Sequence, residues 1–391
     1  MARPTGKTDS SKARLLLHPD LKVPSSSDRN AQTETGSRDN GPGLSAPAPA
    51  EPPVQPRRGP FRVLRWFGIA AAALLFLVLT LWAVAALYFD VAIRPLNIVL
   101  ACAYVLALIE IWTTIKRRLI ACALTLACFA IVLTWWLLLP ASNTRNWQKD
   151  LALLPHAEIE GNRVTVHNIR NCDYRTETDF DVRHYDKSFD FDKLRTADLY
   201  LVYWGSPMIA HTMVSFGFDG GDYLCVSIET RKEVGESYSA IKGFFRQYEL
   251  TYVVADERDL VRLRTNYRQG EDAYLYRIQA TPEQVRALFR QYFKQINDLY
   301  RRPKWYNALT SNCTTNIRFH SKAAGGRAPF DWRIILNGHG DEMLYERRRI
   351  PTTLPFSELK QRCLINARAK AADKAPDFSR LIREGVPGIT P

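Results

Sequence analysis

The sequence predicts an α+β domain, an antiparallel sheet packed with helices, that follows three N-terminal transmembrane helices. Three long apolar runs lie between residues 61 and 140. Short segments rich in β-branched and aromatic residues, separated by turn residues, begin after residue 150. A strongly amphipathic helical segment follows them. A sheet that buries one face against helices is the α+β arrangement.

The N-terminal stretch is rich in Ser, Pro, Gly, Asp and Arg, as in GPGLSAPAPAEPPVQP. It shows no apolar period and cannot bury a core, so we expect a disordered tail. The 391 residues leave room for a membrane segment and one globular domain. We therefore predict a disordered tail over residues 1–60, three transmembrane helices over 61–140 and an α+β domain over 150–391.

The three apolar runs have the length of membrane spans, which need about 20 apolar residues each. They are residues 66–88, 95–115 and 119–139. Arginines precede the first run, and a Lys-Arg-Arg turn at residues 116–118 joins the second to the third. The positive-inside rule keeps the tail and this turn in the cytoplasm. We expect a multi-pass protein of a bacterial inner (cytoplasmic) membrane, with its C-terminal domain in the periplasm.

The formal charge of +13 raises the question of nucleic-acid binding. The basic residues are scattered, and the sequence has no zinc-finger spacing, basic helix or aromatic stacking motif beside them. We predict no nucleic-acid partner. The basic surface is then either solvated or directed at anionic lipid headgroups. The sequence leaves the oligomeric state open.

The strand-like segments of the domain are rich in β-branched and aromatic residues. They are residues 163–169, 197–205, 211–218, 223–231, 250–257 and 273–280. The letters DGGD between the third and the fourth predict a hairpin with a Gly-Gly turn.

Two helices are predicted after the strands. The first begins at Pro282 behind Thr281 as its N-cap, and apolar residues at helical spacing form its core-facing stripe. The second opens near Cys313 and stops at Gly325-Gly326, where glycine can adopt the left-handed conformation.

Cys313 is the candidate nucleophile. Seven cysteines are too few for a disulfide scaffold, although a Cys172–Cys363 bridge is allowed in an exported domain. Cys313 lies between polar residues at the start of a predicted helix, where free backbone N–H groups and the helix dipole stabilise a thiolate. The same N–H groups could hold an oxyanion. The alternative is a buried structural thiol.

A thiol nucleophile needs a base. His320 shares the helix of Cys313, but two turns separate them by roughly 10 Å. His211 is the better candidate, because it lies on a strand face whose other residues are small and mixed and suit a cleft. The alternative is a satisfied surface histidine.

Glu229 is the candidate third residue. It stands opposite His211 if the hairpin loop has three residues, whereas a two-residue loop puts Thr230 there. Its carboxylate could orient the imidazole and stabilise its cation. The alternative is an exposed carboxylate paired with Arg231.

Several short stretches together resemble a known family. The series HTMVSFGF, IETR, QYEL, DERD, LRTNYR and NCTTNI, over roughly residues 150–340, resembles the periplasmic domain of the Lnb-type lipoprotein intramolecular transacylases. This uncharacterised-domain family is similar to permuted papain-like folds, in which the histidine precedes the cysteine. Its characterised members place the periplasmic domain before their membrane helices, whereas here the helices come first.

The resemblance implies roles for particular residues. Cys313 carries over as nucleophile and His211 as base, with Glu229 as a weaker match for the third catalytic residue. Asn312 and Asn316 match the polar frame around the cysteine and are the predicted substrate-binding residues.

The resulting hypothesis is a membrane-anchored, cysteine-dependent acyltransferase acting on lipid-modified proteins. It would move an acyl group from an ester to an amine through a thioester, with a membrane lipid or lipoprotein as its partner and with no metal or cofactor. The first alternative is a cysteine hydrolase of the same fold, a lipid esterase or a cell-wall amidase. The second is a non-enzymatic envelope scaffold.

Overall fold

The computed structural model describes residues 60–325, 329 and 331–389. The chain divides into two units, Met1–Arg62 and Val63–Pro391, and the features below belong to the second unit apart from the first residues of the first helix. The tail predicted over residues 1–60 lies outside the described residues except for its last position.

The three apolar runs form helices α1 (Pro60–Asp90), α2 (Arg94–Thr114) and α3 (Arg118–Leu138). All three are long and apolar enough to cross a membrane. Side-chain hydrogen bonds link these helices: the Asn97 amide donates to the backbone carbonyl of Tyr88 at 2.7 Å, and the Trp112 indole donates to the Thr125 hydroxyl at 3.1 Å. Small residues such as Ala83 and Ala101 are buried where these helices pack together.

Residues 245–247 of the globular part contact the C-terminal ends of α1 and α3. The Gln247 amide donates to a carboxylate oxygen of Asp90 at 2.8 Å, and Trp136 donates to the other oxygen at 2.7 Å. The ring of Phe245 lies 5.1 Å from that of Phe89. The guanidinium of Arg246 lies 4.4 Å from the centre of the Trp136 ring. The domain is therefore packed directly on the membrane helices.

The remaining chain forms the predicted sheet-and-helix domain, so the α+β class with three preceding apolar helices is confirmed. The strands are β1 (His156–Glu160), β2 (Arg163–Arg170), β3 (Asp173–Tyr174), β4 (Phe180–Asp181), β5 (His184–Asp190), β6 (Leu194–Trp204), β7 (Ser206–Phe218), β8 (Tyr223–Arg231), β9 (Glu249–Ala255) and β10 (Glu271–Arg277). The main sheet has the order β1-β2-β9-β8-β7-β6-β10, with β5 paired to β2.

The prediction of a purely antiparallel sheet is wrong at one place. Strands β2 and β9 run parallel where Arg170 pairs with Ala255. The buried Arg170 guanidinium holds this junction, because it donates to the Asp259 carboxylate at 2.8 and 2.9 Å. Strand β9 also ends earlier than predicted, since Asp256 accepts a hydrogen bond from the Arg258 N–H and caps the next helix.

The register of the β7–β8 hairpin decides which residues meet in the site. Gly217 pairs with Tyr223, and the N–H of Phe218 donates to the carbonyl of Asp222 at 2.9 Å. Three residues are left in the loop, and both Gly220 and Gly221 have positive φ. The three-residue alternative is therefore the one realised, and it brings Glu229 opposite His211.

The later helices pack on this sheet. They are α4 (Glu257–Arg262), α5 (Pro282–Arg301), α6 (Cys313–Ala323), α7 (Gly340–Glu346), α8 (Phe356–Cys363), α9 (Asn366–Ala371) and α10 (Phe378–Leu381), with a π-turn over Leu263–Tyr267. Helix α5 begins with a capping box between Thr281 and Gln284, as the N-cap prediction requires. Its buried stripe packs on the sheet, where Phe289 meets Phe216 edge-on at 5.0 Å.

The opposite face of the sheet carries a buried ion cluster. The Arg383 guanidinium lies 2.6 Å from Glu257 and 2.9 Å from Asp198, and all three side chains are almost fully shielded from solvent. Ser215 and Tyr200 donate to the same Glu257 carboxylate at 2.6 and 2.8 Å. The cluster ties the end of the chain to α4 and to the central strands.

Replacing Arg383 with Met should strongly destabilise the domain, because the buried Glu257 carboxylate loses its counter-charge and Asp198 keeps only its pair with Arg277. Removing one partner of a buried pair costs about 3–5 kcal/mol, which corresponds to a fall in melting temperature on the order of 10 °C for a domain of this size. Thermal unfolding of the full chain in detergent measures it. The matched control is Arg380→Met, since the pairs of Arg380 with Asp377 and Glu384 are exposed; an equal loss in both variants would contradict the prediction.

Candidate active site

Cys313 is the first residue of α6, as predicted from the sequence. Asn312 is the N-cap, because its side-chain oxygen accepts from the Thr315 N–H at 2.9 Å and its own N–H donates to the Thr315 hydroxyl at 2.9 Å. This capping box fixes where the helix begins. It leaves Cys313 partly exposed in the first turn, where backbone N–H groups point away from the helix.

His211 reaches Cys313 from β7 and is held by groups on the neighbouring strand. Its Nε2 atom lies 2.7 Å from the Ser227 hydroxyl oxygen and 3.1 Å from a carboxylate oxygen of Glu229. Ser227 in turn donates to that same oxygen at 2.7 Å. Because Nε2 faces these two groups, the other ring nitrogen, Nδ1, is left for the thiol. The imidazole is only 8 % exposed, so these contacts fix its orientation.

The contact between the two side chains changes both pKa values. Burial raises the pKa of the Cys313 thiol, but the hydrogen bond and the positive charge of His211 outweigh it and lower the pKa to about 7. Burial lowers the pKa of His211, but the negative charge of Glu229 outweighs it and raises that pKa. Thiolate and imidazolium therefore stabilise each other near neutral pH.

Glu229 is kept ionised by a second cation. Arg264, in the π-turn after α4, lies 3.2 Å from the Glu229 carboxylate and 3.3 Å from that of Glu271. Burial raises the pKa of Glu229, yet the charges of His211 and Arg264 and the Ser227 hydroxyl hold it well below its usual range. The alternative pairing of Glu229 with Arg231 is wrong, because Arg231 is buried and donates to the carbonyls of Leu151 and Ala152.

The strand face that carries His211 is not an open cleft along its length, contrary to the prediction. Met213 and Ser215, which alternate with His211, are completely buried beneath the later helices. Only the His211 end of the strand reaches the cysteine. The C-terminal helices that cover the rest of this face were not predicted.

His320 is excluded as the base, as predicted. Its Nε2 atom lies 2.7 Å from the Tyr252 hydroxyl, and its ring packs on that of Tyr292 at 4.3 Å. Burial lowers its pKa to about 4, so it stays neutral in the core.

The side chains of Asn312 and Asn316 are both engaged within the chain. Besides its capping bonds, Asn312 donates to the carbonyl of Ala308 at 2.7 Å. Asn316 donates to the carbonyl of Asn312 at 2.9 Å. Both bonds shape the loop and the first turn that present Cys313. Their substrate-binding role stays a prediction, and the contacts favour a positioning role.

The other thiols of the globular part differ from Cys313. Cys172, Cys225 and Cys363 are buried, and burial raises the pKa of Cys172 and of Cys363 to about 12. Cys172 and Cys363 belong to separate hydrophobic clusters and are free, so the bridge that the sequence allowed is not formed.

Sequence reasoning missed Ser227, Arg264 and Asn337. The first two had a signal, because Ser227 alternates with Glu229 along β8 and Arg264 lies in LRTNYR. Asn337 had no such signal in the sequence. Its side-chain oxygen accepts from the Ala210 N–H at 2.9 Å and its NH₂ group donates to the Thr314 hydroxyl at 2.6 Å, so it connects β7 to α6 beside the site.

A largely apolar cavity of about 240 Å³ lies near the start of α6, and its lining includes chain neighbours of Cys313 and His211 but not those two residues themselves. Thr212 and Thr314, the chain neighbours of His211 and Cys313, form part of its wall. Side chains of the sheet and of three helices supply the apolar lining: Leu199, Leu201, Val214, Leu288, Ile317 and Leu344. Arginines 333, 347 and 349 also border it.

Alkylation of Cys313 should follow a titration with its midpoint near pH 7, since the thiolate is the reactive form. In His211→Gln the hydrogen bond and the charge of the imidazolium are lost while burial of the thiol remains, so the midpoint should rise; a rise of about one pH unit lowers the thiolate fraction at neutral pH by roughly tenfold. Mass spectrometry of iodoacetamide-treated protein reads the modified peptide. His339→Gln, at a histidine 3.7 Å from Glu342, is the control and should titrate as the unmodified chain does.

Glu229→Gln should raise the same midpoint by less than His211→Gln does. Loss of the carboxylate lowers the pKa of His211, so less imidazolium is present to stabilise the thiolate. The comparison variant is Glu358→Gln, at an exposed carboxylate paired with Arg362. A Glu229→Gln profile identical to that of the unmodified chain would show that Glu229 does not act through His211.

No curated protein and no solved structure matches the chain significantly. Residues 181–338, which include His211, Glu229 and Cys313, match the family model described as the Lnb N-terminal periplasmic domain. Together with the three apolar helices, this match indicates a membrane protein with a periplasmic domain. It confirms that the globular part of this chain resembles the Lnb-type family.

Proposed function

We propose that this protein is a membrane-anchored thiol acyltransferase that moves an ester-linked acyl group of a lipid-modified protein to an amine. The observation that carries the proposal is the pairing of Cys313 with His211, which lowers the pKa of the thiol to about 7. A structural thiol has no need of a base that is itself held by a carboxylate. The order of a strand histidine before a helix-start cysteine is that of a permuted papain-like fold, which is part of the proposal.

The reaction follows from the positions of these groups. The Cys313 thiolate attacks the ester carbonyl, and N–H groups at the start of α6 stabilise the oxyanion. His211 gives its proton to the leaving alkoxide, which leaves a thioester on Cys313. The acceptor amine then loses a proton to His211 and attacks the thioester. The amide product departs, and the thiolate–imidazolium pair is restored.

The surface near Cys313 supports a substrate held in a membrane. Ile241 and Phe244 are exposed, and they lie four residues and one residue before Phe245, which packs on α1. Leu309, four residues before the cysteine, is also exposed, and its loop is bonded to the carbonyl of Phe244 through Asn307 at 3.3 Å. Apolar side chains so close to the membrane helices suit contact with the lipid surface.

The cavity near the start of α6 supports an acyl substrate. Its lining is mostly aliphatic, and the exposed Arg349 at its border could bind an anionic part of a lipid, whereas Arg333 and Arg347 already pair with Asp331. A substrate that stays in the bilayer is presented to a tethered site at high effective concentration. The remaining parts of the proposal are an inner-membrane, multi-pass topology, a cytoplasmic N-terminal tail over residues 1–60 and a periplasmic domain over 150–391.

Cys313→Ala should abolish transfer, because no other thiol in the described part of the chain contacts His211. The assay is mass spectrometry of lipoprotein N-terminal peptides from cells that depend on this protein. The control is Cys102→Ala, at an exposed thiol in α2, which should behave as the unmodified chain. An unchanged acylation pattern in Cys313→Ala would reject the transferase, and Cys313-dependent release of free fatty acid by purified protein would favour the hydrolase.

Filling the cavity should shorten the acyl chain that is accepted. Ile317→Trp adds bulk in the cavity wall, so transfer from long-chain donors should fall about tenfold or more while short-chain donors are spared. Phe319→Trp, at an exposed position of the same helix, is the control. Equal activity of both variants on donors of every acyl-chain length would show that the cavity does not bind the acyl chain.

A further inference from the structure

A second group of side chains with metal-binding chemistry lies at the β1 edge of the sheet. His156 and Glu158 are two residues apart on β1 and so share a face, and His167 on β2 stands directly opposite His156. One ligand atom from each of the three lies within 4.8 Å of the others. Strand β9 separates these strands from the β8 strand of the Cys313 site.

Two imidazole nitrogens in this group are buried without a partner. The Nδ1 atom of His156 and the Nε2 atom of His167 have no hydrogen-bond partner among the described residues. A buried polar atom left unpaired is costly, so such atoms call for an explanation. The His167 Nε2 atom lies 4.0 Å from the Glu158 carboxylate, on the side where a cation would sit.

The second nitrogen of His167 is held in the arrangement that metal-binding histidines use. Its Nδ1 atom lies 2.7 Å from one oxygen of Asp186, and the other oxygen of Asp186 accepts from the Asn168 N–H at 2.9 Å. A carboxylate on Nδ1 keeps the proton there and leaves the Nε2 lone pair free for a metal. The carboxylate itself is fixed by the bulge at Asn168, whose φ is +58°.

Packing also orients the other imidazole. The ring of His156 lies between the ring of His167, at 4.6 Å, and that of Tyr300, at 4.5 Å. Asn297 on α5 bonds both the N–H and the carbonyl of Ala157, so β1 is anchored next to this ring. An ion bound by both rings requires one imidazole to turn out of the stack, because each lone pair lies in its ring plane and the two planes are only 17° apart. The ligand atoms then have to approach to about 3.4 Å, the separation of neighbouring ligand atoms around a tetrahedral zinc ion.

From this geometry we infer that His156, Glu158 and His167 bind one divalent transition-metal ion, with zinc the best match to two imidazoles and a carboxylate. Such a ligand set leaves a position for water. The ion would join β1 to β2 and replace the missing partners of both histidines. The inference does not depend on the proposed acyl transfer, and the three ligands lie before residue 181, where the family match begins.

Zinc binding by the full, chelator-stripped chain in detergent tests the inference, with a chromogenic chelator as competitor. Glu158→Gln should lose tight binding of one zinc equivalent, whereas the control Glu160→Gln, at an exposed neighbour on β1, should keep it. His156→Gln and His167→Gln should lose the same equivalent. Asp186→Asn should weaken its affinity by roughly 10- to 100-fold, because it orients His167 without binding the ion.

The identity of the ligands is read separately with cobalt as the probe. The bound cobalt should show a tetrahedral spectrum without a thiolate charge-transfer band, and the spectrum should persist in Cys313→Ala. Circular dichroism and melting in chelator confirm that each variant is folded. Binding unchanged in folded Glu158→Gln, or a cobalt spectrum that depends on Cys313, would overturn the inference.

Discussion

The arrangement of the candidate catalytic residues depends on the register of the β7–β8 hairpin. Strands β7 and β8 pair so that His211 meets Ser227 and Glu229, and a slip of one residue would turn the carboxylate to the other face. The pairing of charges around the imidazole then follows: Glu229 stabilises the cation on His211, and that cation stabilises the thiolate of Cys313. Reactivity of the thiol is thus set by backbone pairing about a hundred residues upstream.

One short helical segment links this register to the stability of the domain. Its first residue, Glu257, joins the buried cluster around Arg383, while Arg264, in the π-turn that follows α4, holds Glu229. A π-turn shifts the positions of side chains relative to a regular helix and recurs at functional sites. Arg264, which holds the carboxylate beside His211, is therefore connected through α4 to the buried ion cluster around Arg383.

The contacts between the domain and the membrane helices give the site its setting. Gln247 and Phe245 pack on the end of α1. The exposed apolar residues that precede them are bonded, through the Phe244 carbonyl, to the loop before Cys313. An acyl-transfer site in this setting would receive its substrate from the bilayer. The histidine pair on β1 and β2, at one end of the strand order, is a separate feature, and β9 lies between it and the β8 strand of the thiol site.

Local features could be predicted from the amino-acid sequence: the three apolar helices, the N-cap of α5, the start of α6 near Cys313 and the choice of His211 over His320. Each follows from periodicity, caps or helical geometry over a few residues. Tertiary structure decided the loop length that selects Glu229, the parallel β2–β9 pair, and the roles of Arg264 and Asn337. These contacts join distant segments through buried charges and amides, and no local pattern encodes which partners meet.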